Sequence, residues 1–268
     1  MSAEQNRIDE MFARRADQKK KALITFVTAG DPDLETTRKL VLEMEKAGAD
    51  LVELGVPFSD PVAEGPVIEE ANLRALKNDV GIDRLFELAA RLRQETNIPL
   101  VFLLYVNCVL QYGKEKFMDN CVQSGIDGLI VPDLPDEESN EIYGENIRTG
   151  VRLIRMVAPS SDDRIETIAA KAEGFLYCVS SLGVTGVRSG FKTDFEGFFG
   201  KINQYKSAPS AVGFGIATPE QVRDLKKYCD GVIVGSAIVK KVAAAAGPEE
   251  AVASVGELVR SLRRALDE

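Results

Sequence analysis

Eight short, nearly continuous apolar runs recur along the chain, separated by charged segments whose apolar residues return at helical spacing. The runs are "ALITFVTAG" from Ala22, "DLVELGVPF" from Asp50, "IPLVFLLYV" from Ile98, "DGLIVPDLP" from Asp127, "VRLIRMVAP" from Val151, "GFLYCVSS" from Gly174, "SAVGFGI" from Ser210 and "DGVIVGSAIV" from Asp230. Val, Ile and Leu on both faces mark parallel strands covered on both sides. The segments between them predict helices. "DLETTRKLVLEMEKAG" keeps an amphipathic period and stops at Gly48, and "TPEQVRDLKKY" opens with Thr218 as N-cap and Pro219 in the first helical position. "NRIDEMFARRADQK" predicts an extra helix before the first strand, and "GPEEAVASVGELVRSLRRALDE" a last one. Eight strand–helix units predict an α/β fold, one (β/α)8 TIM barrel domain spanning residues 1–268. An open doubly wound sheet is the alternative.

Composition narrows the chemistry. A net charge of −9 over 268 residues disfavours a nucleic-acid backbone as partner. There is no histidine, so Ser-His-Asp and Cys-His nucleophiles are ruled out and a catalytic zinc is disfavoured. Cys108, Cys121, Cys178 and Cys229 form no CxxC pair and read as reduced, packed thiols. No apolar run reaches membrane-span length and the first residues lack a signal-peptide core, so a cytoplasmic protein is expected.

Barrel enzymes place their chemistry at the C-terminal ends of the strands. There the seventh and eighth runs end in Gly213-Phe214-Gly215 and Gly235-Ser236. Glycines let a phosphate approach backbone N–H groups and helix N-termini favour anions, so these ends predict a phosphate site, Ser236 capping a short helix; the alternative is that they serve tight turns. "SSLGVTGVRSGFKTD", Ser180 to Asp194, has the length and three glycines of a lid, or else of a plain surface loop. No run carries a lysine, which argues against a Schiff-base aldolase, and no acid cluster has metal-ligand spacing.

The remaining candidates are carboxylates and hydroxyls. Glu53 lies mid-strand, on one face with Leu51 and Gly55, where burial would raise its pKa toward the range of proton transfer. The alternative is a structural glutamate paired with Arg155. Tyr177 is placed to orient a carboxylate, line a pocket or simply pack. Phe26, Leu103, Ile130, Phe214 and Ile233 sit near strand ends, as an apolar pocket or as barrel core.

"FVTAGDP", "ELGVPFSDP", "VPDLP", "GVTG", "GFGI" with "TPEQV", and "GSAIV" occur in the order and spacing of one family, and over essentially the whole length the chain resembles the tryptophan synthase alpha subunit. That resemblance implies retro-aldol cleavage of indole-3-glycerol phosphate to indole and glyceraldehyde 3-phosphate. It implies Glu53 as the proton-transfer group, a phosphate site at Gly186, Gly215, Gly235 and Ser236, and an indole pocket of Phe26, Leu103, Ile130, Tyr177, Phe214 and Ile233. Thr185 would lie on the lid near the catalytic acids. It also implies no cofactor in this chain and, as partner, a pyridoxal-phosphate beta subunit in an α2β2 assembly, facing Pro57 to Asp60 and Asp133. One position departs from the family pattern "SDPxADGP": here the loop reads "SDPVAEGP", with Glu64 where the family has its second catalytic aspartate. The extra methylene leaves two outcomes open, an active lyase or a binding subunit that activates its partner with little chemistry left. A barrel isomerase acting on another phosphate is a third reading, disfavoured by the absent histidine and by "ELGVPFSDP".

Overall fold

In the computed structural model, which describes residues 6–179, 194–213 and 215–268, the apolar runs become nine parallel strands. They are β1 (Ala22–Thr28), β2 (Leu51–Gly55), β3 (Leu100–Leu103), β4 (Gly128–Ile130), β5 (Arg152–Ile154), β6 (Met156–Val157), β7 (Leu176–Val179), β8 (Ser210–Gly213) and β9 (Gly231–Val234). The ladder runs β5-β4-β3-β2-β1-β9-β8-β7-β6. Its two ends are halves of one run, interrupted at Arg155, so the sheet closes on itself there as a TIM barrel. The eight expected runs thus hold, with one difference: the fifth is broken. At the break the Arg155 Nε lies 3.4 Å from Asp136 Oδ1, an ion pair with the loop after β4.

Strand alternation sorts the residues between two cores. Outward residues such as Val52, Leu54 and Phe102 pack with Leu40, Met44, Leu88 and Leu92 of the surrounding helices. Inward residues Ile24, Leu51, Val101, Ile130, Ile154, Phe175, Tyr177 and Ile233 fill the barrel. The expected extra helix, Arg7–Asp17, lies across the bottom. Its Ile8, Met11 and Phe12 join the inner core, with the Phe12 and Phe175 rings 5.7 Å apart. The helix ends follow their sequence signals. Thr218 and Gln221 form a reciprocal capping box before Pro219, and Gly48, at φ +109°, follows the helix Leu34–Lys46.

The bottom rim repeats one arrangement three times. Asp50, Asp127 and Asp230 each precede a strand and each accept a backbone N–H from the strand alongside: Leu23 N, Leu100 N and Ser210 N, all at 2.9 Å. Each also meets cations. Asp50 binds Arg15 (2.7 Å) and Arg263 (3.1 Å), Asp127 binds Arg7 and Arg93 (both 2.8 Å), and Asp230 binds Lys206 (2.5 Å). Burial raises the Asp230 pKa, but Lys206 and the Ser210 N–H outweigh it and hold the carboxyl below its ordinary value.

Candidate active site

At the opposite end a cleft opens between the strand tips, lined by Phe26, Glu53, Glu64, Leu103, Tyr177, Gly215, Ile233, Gly235 and Ser236 together with Ala63, Ile68, Pro132 and Met156. Its empty space is about 560 Å³, open mouth included. The first nine are residues the sequence singles out, drawn from six strands and the loops that follow them. The last four are additions. Ala63 and Ile68 come from the long β2 loop and the helix Pro66–Leu76, Pro132 follows β4, and Met156 begins β6.

Glu53 sits in β2 opposite Phe26 of β1 and Val101 of β3. It is 1 % exposed, and its Oε1 has no hydrogen-bond partner. Burial alone pushes its pKa up to about 8. Arg155 therefore does not neutralise it as a structural partner would; that guanidinium is at Asp136. Glu53 is a buried acid poised to give or take a proton near neutral pH.

Glu64 reaches the same cleft from the loop. It is 6 % exposed, and its Oε2 accepts a hydrogen bond from the Tyr105 hydroxyl. Burial raises its pKa to about 7, against the pull of the Glu64 and Ala63 backbone N–H groups and with a push from Glu69 and Asp133. Tyr177 is buried beside both acids, and desolvation first, then the charge of Glu53, holds its phenol well above the usual range.

Two glycines make room for this wall. A Cβ on Gly55 would lie 2.6 Å from Phe26 Cζ, and one on Gly213 would lie 2.6 Å from Tyr177 Oη. Gly213 is thus the clearance for Tyr177 rather than a wall of the cleft. Gly235 is the N-cap of the helix Ser236–Ala244, and Ser236 is its first residue rather than its cap. Gly235 and Ser236 line the cleft, and the start of a helix is where backbone N–H groups favour an anion. Ile130 is fully buried in the layer below and does not line the cleft. Thr185, Gly186 and Phe214, with the expected lid from Ser180, lie outside the described residues.

Around the mouth, Pro57 is buried while Asp60 is exposed and accepts a hydrogen bond from Ser59 (2.5 Å). Asp133 accepts the Val106 N–H at 2.9 Å, at the start of the helix Val106–Tyr112. Among the described residues no group of three or more Cys, Asp or Glu is placed to hold a metal ion, and no helix is long and apolar enough to cross a membrane.

A family profile, "Tryptophan synthase alpha chain", matches residues 12–267. The chain belongs to that family. It is 49 % identical over 257 residues to the tryptophan synthase alpha chain of Alkaliphilus metalliredigens (strain QYMF), covering 96 % of this chain and 97 % of the relative. The relative from Thermoanaerobacter sp. (strain X514) is 46 % identical, with 97 % and 100 % covered. Among solved structures, tryptophan synthase subunit alpha from Legionella pneumophila str. Paris superposes with a TM-score of 0.87 at 33 % identity, covering 98 % of this chain and 99 % of that one. The family resemblance carried by "ELGVPFSDP" and its companions therefore holds along the chain.

Proposed function

We propose that the cleft cleaves indole-3-glycerol phosphate into indole and glyceraldehyde 3-phosphate, the chain acting as one barrel domain. The observation that carries this reading is Glu53: a carboxyl fixed in a barrel strand, aimed into the cleft, with an unpartnered oxygen and a pKa near 8. The substrate's phosphate meets the N–H groups around Gly235 and Ser236 and the loop at Gly215, with Gly186 as a further contact implied by the family. Its indole ring lies against Phe26, Leu103, Ile233 and Met156. Protonated Glu53 gives its proton to the ring carbon C3, placing positive charge on the ring nitrogen. Glu64, ionised, accepts the ring N–H and opposes that charge. The Glu53 carboxylate then takes the proton of the hydroxyl on the adjacent side-chain carbon. The carbon–carbon bond breaks, its electron pair restores the aromatic ring, and the hydroxyl carbon becomes the aldehyde. Glu53 ends as it began, protonated.

This chemistry needs one carboxyl protonated and one ionised, and the burial that raises both Glu53 and Glu64 toward neutral pH, Glu53 the more deeply buried, supports that reading. Pyridoxal phosphate is assigned to a beta subunit, docked over the mouth at Asp60, Asp133 and the loop that Pro57 anchors. An α2β2 assembly in the cytoplasm completes the reading. The position of Glu64, buried within the cleft, favours the lyase over a binding subunit that has lost its chemistry. The test is indole release from indole-3-glycerol phosphate by the purified chain, with and without a beta subunit. Turnover by Glu53→Gln equal to that of the unaltered chain would end the proposal.

A further inference from the structure

Glu64 is not held by its own loop alone. The hydroxyl of Tyr105, two residues past β3 and the N-cap of the helix Val106–Tyr112, donates to Glu64 Oε2 and accepts the backbone N–H of Ala63 at 3.0 Å. Because the Ala63 N–H approaches the hydroxyl oxygen, the phenolic proton is turned toward the carboxylate. The ring is 3 % exposed and stacks on Phe58, centroids 5.0 Å apart and planes at 27°. One hydroxyl therefore ties the loop backbone and the carboxylate to a strand end, and it cannot swing away.

From this geometry we propose that Tyr105 is the positioning residue of Glu64, fixing the carboxylate plane and favouring its ionised form in the cleft. The inference rests on the proposed lyase reading. It adds that the glutamate's length is matched to Tyr105. With Ala63 bonded to the same hydroxyl, the distance from the Glu64 backbone to Tyr105 is set, and a side chain one methylene shorter draws its carboxylate back from the phenol by about a bond length, out of hydrogen-bond range. Glu64 is then a partner built to reach Tyr105, and restoring an aspartate does not improve the site.

The charged groups acting on Glu64 are Glu69, on the helix Pro66–Leu76, and Asp133, after β4; both are acids and raise its pKa. Glu53 and Tyr177 face it across the cleft. A phenol donor opposes these effects by stabilising the carboxylate. Removing the donor raises the Glu64 pKa, so the acid limb of activity moves to higher pH.

The experiment is steady-state indole release as a function of pH for the full chain, Tyr105→Phe, Glu64→Asp and the double variant, with Glu53→Gln as control. Expected for Tyr105→Phe is a kcat about tenfold lower, KM within about twofold, and the acid limb raised by about one pH unit. In the Glu64→Asp background the same change has little effect, because the bond is already broken, and Glu64→Asp alone does not exceed the unaltered chain. Should Tyr105→Phe fail to fold, site-specific fluorotyrosine at 105 keeps the shape while strengthening the donor, and the acid limb moves down. An acid limb that stays in place in Tyr105→Phe or in the fluorotyrosine protein overturns the inference. So does a Glu64→Asp variant several-fold faster than the unaltered chain. Glu53→Gln separates the two ideas: its full activity sinks the lyase reading, whereas its inactivity with an unmoved limb sinks the role of Tyr105 alone.

Discussion

The two ends of this barrel carry the same kind of side chain and treat it in opposite ways. At the bottom, Asp50, Asp127 and Asp230 each take a backbone N–H and at least one cation, so their charges are compensated within the fold. At the top, Glu53 has an oxygen with no partner, and both Glu53 and Glu64 are pushed toward neutral pH by burial. Compensated acids tie neighbouring strands together; the uncompensated ones are those to which proton transfer is proposed. The difference lies in the neighbours each acid is given, with residue type nearly constant.

Substitution at each end breaks this symmetry differently. The largest expected effect is at the top: Glu53→Gln lowers kcat for indole release by on the order of a thousandfold, as loss of a general acid/base does. Asp127→Asn, by contrast, leaves Arg7 and Arg93 without their carboxylate and costs about 3 kcal/mol of stability, read from urea unfolding at neutral pH, while kcat of the folded protein stays within a few-fold. If Asp127→Asn cuts kcat as deeply as Glu53→Gln, the division between the ends is wrong.

Stability at the top should respond with the opposite sign. The folded pKa of Glu53, about 8, stands above its ordinary 4.5, so the folded state holds the proton more tightly than the unfolded chain. That contribution is complete below pH 4.5 and is lost as pH rises through about 8. Glu53→Gln does not titrate. It should gain on the unaltered protein across this window and be about 1–3 kcal/mol more stable at pH 8.5, a trade of activity for stability. A constant gap from pH 5 to 8.5 would contradict it. Activity itself should be bell-shaped in the free chain, rising as Glu64 ionises near 7 and falling as Glu53 loses its proton near 8. A flat kcat/KM across pH 6 to 9 would argue against both assignments.

The smallest effect concerns the wall. Gly55→Ala sets a methyl against the Phe26 ring, which must tilt into the cleft; KM should rise about threefold to tenfold with a stability loss of about 1 kcal/mol. An unchanged KM would show that the Phe26 face does not touch the substrate.

The barrel was legible because its runs are apolar on both faces, a pattern few folds require. Glu53 was legible for the same reason: it is an acid in the middle of such a run, with apolar residues on both sides. The break at Arg155 was not, because period and propensity say nothing of an ion pair with Asp136, which lies on another loop. Tyr105, Pro132 and Met156 carry no sequence signal for a related reason. Tyr105 and Pro132 follow ordinary strands and Met156 begins a short one, and nothing local says which of these places converge. Ile130 and Leu103 show the limit of counting by position: paired across β3 and β4, one is buried beneath the cleft and the other lines it. The bottom rim does carry a local signal. Three of the eight runs open with aspartate, "DLV", "DGL" and "DGV", and those are the three acids of the bottom rim.

The helix Arg7–Asp17 has a last consequence. With Ile8, Met11 and Phe12 wedged beneath Phe175, the barrel is a flask with its base stoppered. Among the described residues the cleft opens at the strand tips, so on the proposed reading substrate and products pass there. With the base closed by that helix, whatever rests on the mouth would meet an aromatic product as it leaves the strand tips.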